Sequence, residues 1–149
     1  MFANKIEEDG AKYVAGILKG KTKLTCLGLS NNKLGSGGAC EIAETGLTGN
    51  SCLVKLSIEN NGIGNAGLES ISDALKNCNS LQEVYLYNND IDDEPISGFV
   101  QLLSASPDLF ALGLEFNRLG YKAVSLLTKA LVNHRKLEKL YLNQNDINQ

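Results

Sequence analysis

The chain lacks most of what an enzyme, a membrane protein or a nucleic-acid binder would need. No apolar run approaches the ~18 residues of a membrane-spanning helix, and the opening Met1-Phe2-Ala3-Asn4-Lys5 has neither the basic nor the apolar region of a secretory leader. Basic excess is missing too: 14 Lys and Arg stand against 17 Asp and Glu, a net charge of -3, and nucleic-acid binders need a clustered basic surface. The nearest such cluster, Lys19, Lys21 and Lys23, falls where a helix should end, and cations there complement the helix dipole. The four cysteines, Cys26, Cys40, Cys52 and Cys78, form no C-x-x-C pair, so neither a metal site nor a disulfide ladder is implied. No N-x-S/T acceptor is present either, and reduced thiols without glycosylation favour a cytoplasmic protein.

Catalytic groups are equally sparse. The single histidine, His134, lies in the polar stretch Asn133-His134-Arg135-Lys136 and reads as a solvated loop residue, with no second histidine or same-unit cysteine to make a metal or nucleophile site. Gly20-Lys21-Thr22 suggests a phosphate loop, but the motif needs glycine where Ala15 stands, and the segment runs from helix to strand, the reverse of the required order. Glu7-Glu8 and Asp92-Asp93-Glu94 sit where helices should start, where negative charge is favourable, and read as helix openings rather than acid–base pairs. No cofactor and no catalytic residue is expected, so the chain is read as a non-enzyme.

What the chain has is a repeat. Asn32, Asn61, Asn89, Asn117 and Asn145 recur at intervals of 29, 28, 28 and 28 residues, each inside the frame L-x-x-L-x-L-x-x-N-x-L. The frame is Leu24, Leu27, Leu29, Asn32, Leu34 in the first copy and Leu53, Leu56, Ile58, Asn61, Ile63 in the second. The third to fifth are Leu81, Val84, Leu86, Asn89, Ile91; Leu109, Leu112, Leu114, Asn117, Leu119; and Leu137, Leu140, Leu142, Asn145, Ile147. Repetition fills residues 1–149 as one domain: a half unit at 4–23, then units starting near 24, 53, 81, 109 and 137.

Each unit opens with a period-two pattern such as Leu53-Val54-Lys55-Leu56-Ser57-Ile58, a short strand with one buried face. The period then becomes four, as in Gly67, Ile71, Leu75 or Pro95, Phe99, Leu103, which is one stripe of a helix. The extra residue of the 29-residue unit falls between Ile42 and Leu47, with Gly46 and Gly49 expected in left-handed conformations at that helix's end. Strands joined by helical crossovers lie parallel and connect right-handedly. Strands pack ~4.8 Å apart and helices ~8–10 Å apart, so the sheet must line the concave side of the coil and the helices the convex side. The asparagines read as structural groups that satisfy the turn's backbone, not as a site.

The frame and its spacing resemble the leucine-rich repeat family, and the 28/29-residue period with full helices is similar to its ribonuclease-inhibitor-like subclass, over residues 4–149. The expected fold is therefore α/β: a right-handed leucine-rich-repeat solenoid with a parallel sheet on the concave face and helices on the convex face. The resemblance is specific for the fold rather than for a function, because the motif residues are spent on packing. It implies, as an alternative to a non-enzymatic protein-binding module, a regulatory repeat region of a GTPase-activating protein or a nucleotide-binding leucine-rich-repeat receptor, although the acidic tail of Ran GTPase-activating proteins is absent. A structural spacer or self-assembly element is the third reading.

Binding should use the residues that the repeat leaves free, the outward strand positions. The third position reads Cys26, Lys55, Glu83, Ala111, Lys139; the fifth Gly28, Ser57, Tyr85, Gly113, Tyr141; the seventh Ser30, Glu59, Tyr87, Glu115, Asn143; the eighth Asn31, Asn60, Asn88, Phe116, Gln144. Tyr87 should stand between Glu59 and Glu115, and Lys55 beside Glu83. Tyrosines ringed by charge resemble interface anchors, so Lys55, Glu59, Glu83, Tyr85, Tyr87, Glu115, Phe116 and Tyr141 are the candidate partner-binding residues. The partner should be a protein offering basic or hydroxyl-bearing groups, with no nucleic acid and no membrane involved. The chain starts in mid-unit at Asn4-x-Ile6 and stops at Ile147-Asn148-Gln149 before any covering helix. It should therefore be part of a longer repeat protein, or associate with a second copy through the uncapped C-terminal edge.

Overall fold

A computed structural model describes residues 4–148. The elements follow the predicted alternation: α1 (Glu7–Leu18), β1 (Cys26–Gly28), α2 (Gly35–Glu41), β2 (Lys55–Ser57), α3 (Gly64–Ala74), β3 (Glu83–Tyr85), α4 (Ile96–Ser104), β4 (Ala111–Gly113), α5 (Tyr121–Leu131) and β5 (Lys139–Tyr141). The strands form one sheet in chain order, β1-β2-β3-β4-β5, every pair parallel and in the same phase of the repeat, as in Leu27↔Leu56 and Leu56↔Val84. Helices pack in the same succession on one side. The result is a one-sided coil whose frame leucines point inward.

The core follows the repeat frame. Leu29, Leu34, Leu53, Leu56, Ile58, Ile63, Leu81, Leu86, Ile91, Leu109, Leu112, Leu114 and Leu119 are at most 2% exposed. They meet a helical stripe that includes Ile42, Ile71, Leu75, Phe99 and Leu103. Full burial of one such side chain stabilises by ~1.5–3 kcal/mol. The fifth unit differs: all of β5 is exposed, Leu140 at 45% and Tyr141 at 41%.

The extra residue of the first unit lies where the spacing places it. α2 continues into a π-helical segment, Ile42–Leu47, a wider turn that absorbs one residue while both its ends stay in phase. One detail differs from expectation. Gly49 has φ +86, but Gly46 lies within the π-helical segment without a left-handed φ, and its missing side chain makes room for α1, since a Cβ there would lie 3.1 Å from Leu18 and 3.3 Å from Ala15. The stretch Gly20-Lys21-Thr22 is an exposed turn leaving α1, with Gly20 at φ +75.

The asparagines form a ladder through the sheet's end. Asn89 Nδ2 donates to Leu86 O (3.0 Å) in its own unit and to Ile58 O (3.1 Å) in the unit before, while its Oδ1 accepts from Asn61 N (3.0 Å) and Ile63 N (3.5 Å). Asn61 and Asn117 repeat the pattern: Asn61 Oδ1 takes the Asn32 and Leu34 amides, and Asn117 Oδ1 those of Asn89 and Ile91. The turn itself explains the need. The residue before each asparagine is left-handed, Asn31 at φ 60, Asn60 at 55, Asn88 at 51, Phe116 at 53 and Gln144 at 58, so the strand ladder ends abruptly and leaves buried backbone groups for the amide to pair.

A second polar position was not visible as a pattern. Where each helix hands over to the next strand, Lys21, Asn50, Cys78, Ser106 and His134 share one backbone bond, their N–H donating to Leu18, Leu47, Leu75, Leu103 and Leu131 O at 2.7–2.9 Å. From Asn50 onward the side chain turns inward. Asn50 Nδ2 donates to Lys21 O and Leu24 O, Cys78 Sγ to Leu53 O, and Ser106 Oγ to Leu102 O. His134 belongs to this series, which corrects its assignment as a solvated loop residue: it is half-buried and its Nε2 lies 2.9 Å from Leu103 O.

Candidate functional site

The strands are only three residues long, but their ladder continues beyond them: Ile58 N donates to Tyr85 O, Asn60 N to Tyr87 O and Asn88 N to Glu115 O. Residues at the third, fifth and seventh positions therefore line up across the sheet. The registers Lys55↔Glu83↔Ala111↔Lys139 and Ser57↔Tyr85↔Gly113↔Tyr141 set the rows. The intervening Leu56, Val84 and Leu112 face the core.

Seven residues line a shallow depression of about 360 Å³ on this face: Lys55, Ser57, Glu59, Tyr85, Tyr87, Glu115 and Tyr141. Six of them are predicted site residues, and a seventh prediction, Glu83, adjoins them through hydrogen bonds. Lys55 Nζ bonds Glu83 Oε2 at 2.8 Å, the Tyr85 hydroxyl donates to the same oxygen at 3.0 Å, and the lysine ammonium lies 5.2 Å from the Tyr85 ring centroid. The Lys55 hydrogen bond holds the Glu83 carboxyl below its usual range, against the opposing effect of burial and with help from Tyr85. Burial, then the bond to Glu83, pushes the Tyr85 hydroxyl up to about 12, so it remains a donor at any ordinary pH.

Gly113 makes the depression. A Cβ at that position would lie 3.0 Å from Tyr85 Cδ1 and 3.0 Å from Glu115 Oε2, so the tyrosine ring and the carboxylate both lean over its bare backbone. Glu59 is only 9% exposed and accepts a hydrogen bond from the buried Ser30 hydroxyl. Glu115 Oε2 is buried and has no hydrogen-bond partner among the described residues. Ser30, Ser57 and Gly113 were legible as neighbours in phase but not as contributors, because small residues carry no chemical signal of their own.

Phe116 is the exception among the predicted residues. It is 56% exposed but does not line the depression, because its φ of 53 places it on the left-handed turn after the strand, not in the strand's outward row. The acidic stretch at α4 also does more than open a helix: Asp93 Oδ1 accepts from Gly120 N at 2.7 Å and Asp92 Oδ1 from Asn65 Nδ2 at 2.7 Å, tying neighbouring units together. On the helix side a groove lined by Glu44, Ser70, Asp73 and Lys76 offers no aromatic anchor. Among the described residues no cluster of three metal-ligating side chains forms, and no helix is long and apolar enough to cross a membrane.

A parallel one-sided coil of short strands and helices, closed at each turn by an asparagine ladder and carrying its variable residues on the sheet, defines a leucine-rich repeat solenoid. The chain is a leucine-rich repeat protein of the ribonuclease-inhibitor-like type. The family described as Leucine Rich repeat matches residues 20–43 and 49–72. The chain is 29% identical to the ribonuclease inhibitor of Sus scrofa over 144 residues, which is 95% of this chain and 31% of that protein. It is 33% identical to NACHT, LRR and PYD domains-containing protein 12 of Mus musculus over 129 residues, 85% of this chain and 12% of that protein. The chain thus spans about a third of the inhibitors it matches and a smaller part of the NACHT proteins. Among solved structures, Leiomodin-1 Actin-Binding Site 2 shares the fold with a TM-score of 0.66 and 22% identity, covering 85% of this chain and 73% of that one.

Proposed function

We propose that the chain is a protein-binding module without chemistry of its own, gripping its partner on the exposed sheet face between β2 and β5. The observation that carries this reading is the depression in which Tyr85, Tyr87 and Tyr141 stand beside Glu59 and Glu115. Tyrosines give large contact area at low rotamer cost, and a charged rim sets orientation. Matches to proteins named as ribonuclease inhibitors support a role in binding another protein. The four unpaired cysteines support a reducing compartment, the cytoplasm, as its location.

The test is a binding titration with a ribonuclease, and with any partner recovered by affinity capture, against Tyr87→Ala combined with Glu59→Lys. Affinity should fall about a hundredfold, in line with loss of an aromatic anchor. Unchanged affinity would place the interface elsewhere. A second reading, a regulatory repeat region of a receptor, is favoured by the NACHT protein matches over 85–93% of the chain. The GTPase-activating form of that reading fails if no small GTPase in a panel hydrolyses GTP faster with the chain present. Association of copies through β5 is a third, supported by the exposure of Leu140; constant mass in light scattering across a wide concentration range would exclude it.

A further inference from the structure

The depression and the adjoining Glu83 bring together one cation and three carboxylates, but the charges are not evenly matched. Lys55 is committed to Glu83, and Glu83 also takes the Tyr85 hydroxyl. That leaves Glu59 and Glu115 without a cationic partner in the site. Glu59 has the Ser30 hydroxyl, whereas Glu115 Oε2 is buried with no hydrogen-bond partner among the described residues. A buried carboxylate oxygen left unpaired is costly, and here the bare backbone of Gly113 is what lets it sit there.

Glu59, Tyr87 and Glu115 lie in the same phase, two residues beyond β2, β3 and β4 where the ladder continues, so the tyrosine stands between the carboxylates. Two strand spacings, ~9.6 Å, separate the two glutamate backbones. A planar guanidinium laid on the tyrosine face presents N–H donors toward both sides, so that one group can engage both carboxylates. The ring adds cation–π attraction. A lysine ammonium is a compact point charge and can serve only one of the two acids at a time. The rings of Tyr85 and Tyr141, which line the same depression, provide apolar walls for an aliphatic stem.

We propose that Glu59, Tyr87 and Glu115 form a socket for one arginine side chain of the partner protein. The assignment rests on the sheet-face reading above and gives it a chemical class. It is tested by titrating the ¹⁵N-labelled chain with acetyl-Gly-Arg-Gly-amide and with acetyl-Gly-Lys-Gly-amide and following backbone amide shifts. The arginine peptide should move the amides of Glu59, Tyr87 and Glu115 and bind at least about fivefold more tightly than the lysine peptide, because only the fork engages both acids. Glu115→Gln, whose folding is checked by its dispersed spectrum, should remove that preference. Equal affinity for the two peptides, shifts confined to other acidic stretches such as Asp90–Glu94, or a preference that survives Glu115→Gln would each overturn the proposal. If the arginine peptide leaves the socket untouched while Tyr87→Ala with Glu59→Lys still abolishes partner binding, the sheet face stands and the arginine assignment falls.

Discussion

The two polar positions of the repeat, the asparagine turn and the helix exit, perform related work with opposite sequence behaviour. At the turn the same residue recurs five times; at the exit four different side chains, Asn50, Cys78, Ser106 and His134, take the equivalent place. The backbone explains the contrast. At the exit every unit makes the same N–H bond to the end of its helix, so the side chain adds one or a few contacts to a turn that already holds itself. At the asparagine turn the left-handed residue ends the ladder, and donor and acceptor must be supplied together across two units. Only an amide of that length does both. Strict repetition therefore marks the point where the backbone cannot satisfy itself.

Substitutions rank the two positions. Asn89→Ala should be the most damaging, since it strands four backbone partners of a fully buried residue. A loss of ~3 kcal/mol or more is expected from urea denaturation. Asn50→Ala sharpens the contrast, because Asn50 sits at the variable position yet makes four bonds, to Lys21 O, Leu24 O, Cys52 N and Leu53 N. It should cost ~2 kcal/mol. Ser106→Ala removes a single bond back to its own helix and should cost less than ~1 kcal/mol. If Ser106→Ala proved as harmful as Asn89→Ala, the backbone explanation for the variability would fail.

The smallest expected effect lies on the sheet face. Glu83 has a lowered pKa in the fold, so its contribution is present above the ordinary value of 4.5 and is lost as pH falls through the lowered one. The Lys55 and Glu83 side chains are 41% and 33% exposed, which limits the effect to well under ~1 kcal/mol. Lys55→Ala should flatten that part of the acid unfolding curve, with an unchanged curve showing that the pair contributes nothing.

What could be read from residues alone follows the same logic. The leucine and asparagine frame carries the sheet order, the alternation of elements and the location of the extra residue, because each reflects a spacing that burial enforces. The row of site residues was legible by phase as far as the seventh position. Phe116 lies outside the depression because a side chain leaving a left-handed turn no longer obeys the strand's alternation. His134 was misplaced because its series shares a backbone bond and no residue type. Glu115's unpartnered oxygen could not be foreseen either, since it depends on how a side chain folds over Gly113.

The π-helical segment has a further consequence. Cys26 pairs with Lys55 in the same way that Lys55 pairs with Glu83, although the first interval is one residue longer. The whole difference is taken up on the helix side, and nothing on the sheet moves. The two surfaces of the coil can thus evolve on separate clocks: the helix layer tolerates insertions of single residues as a loose margin, while the sheet retains a fixed grid on which one outward side chain can be exchanged without shifting its neighbours.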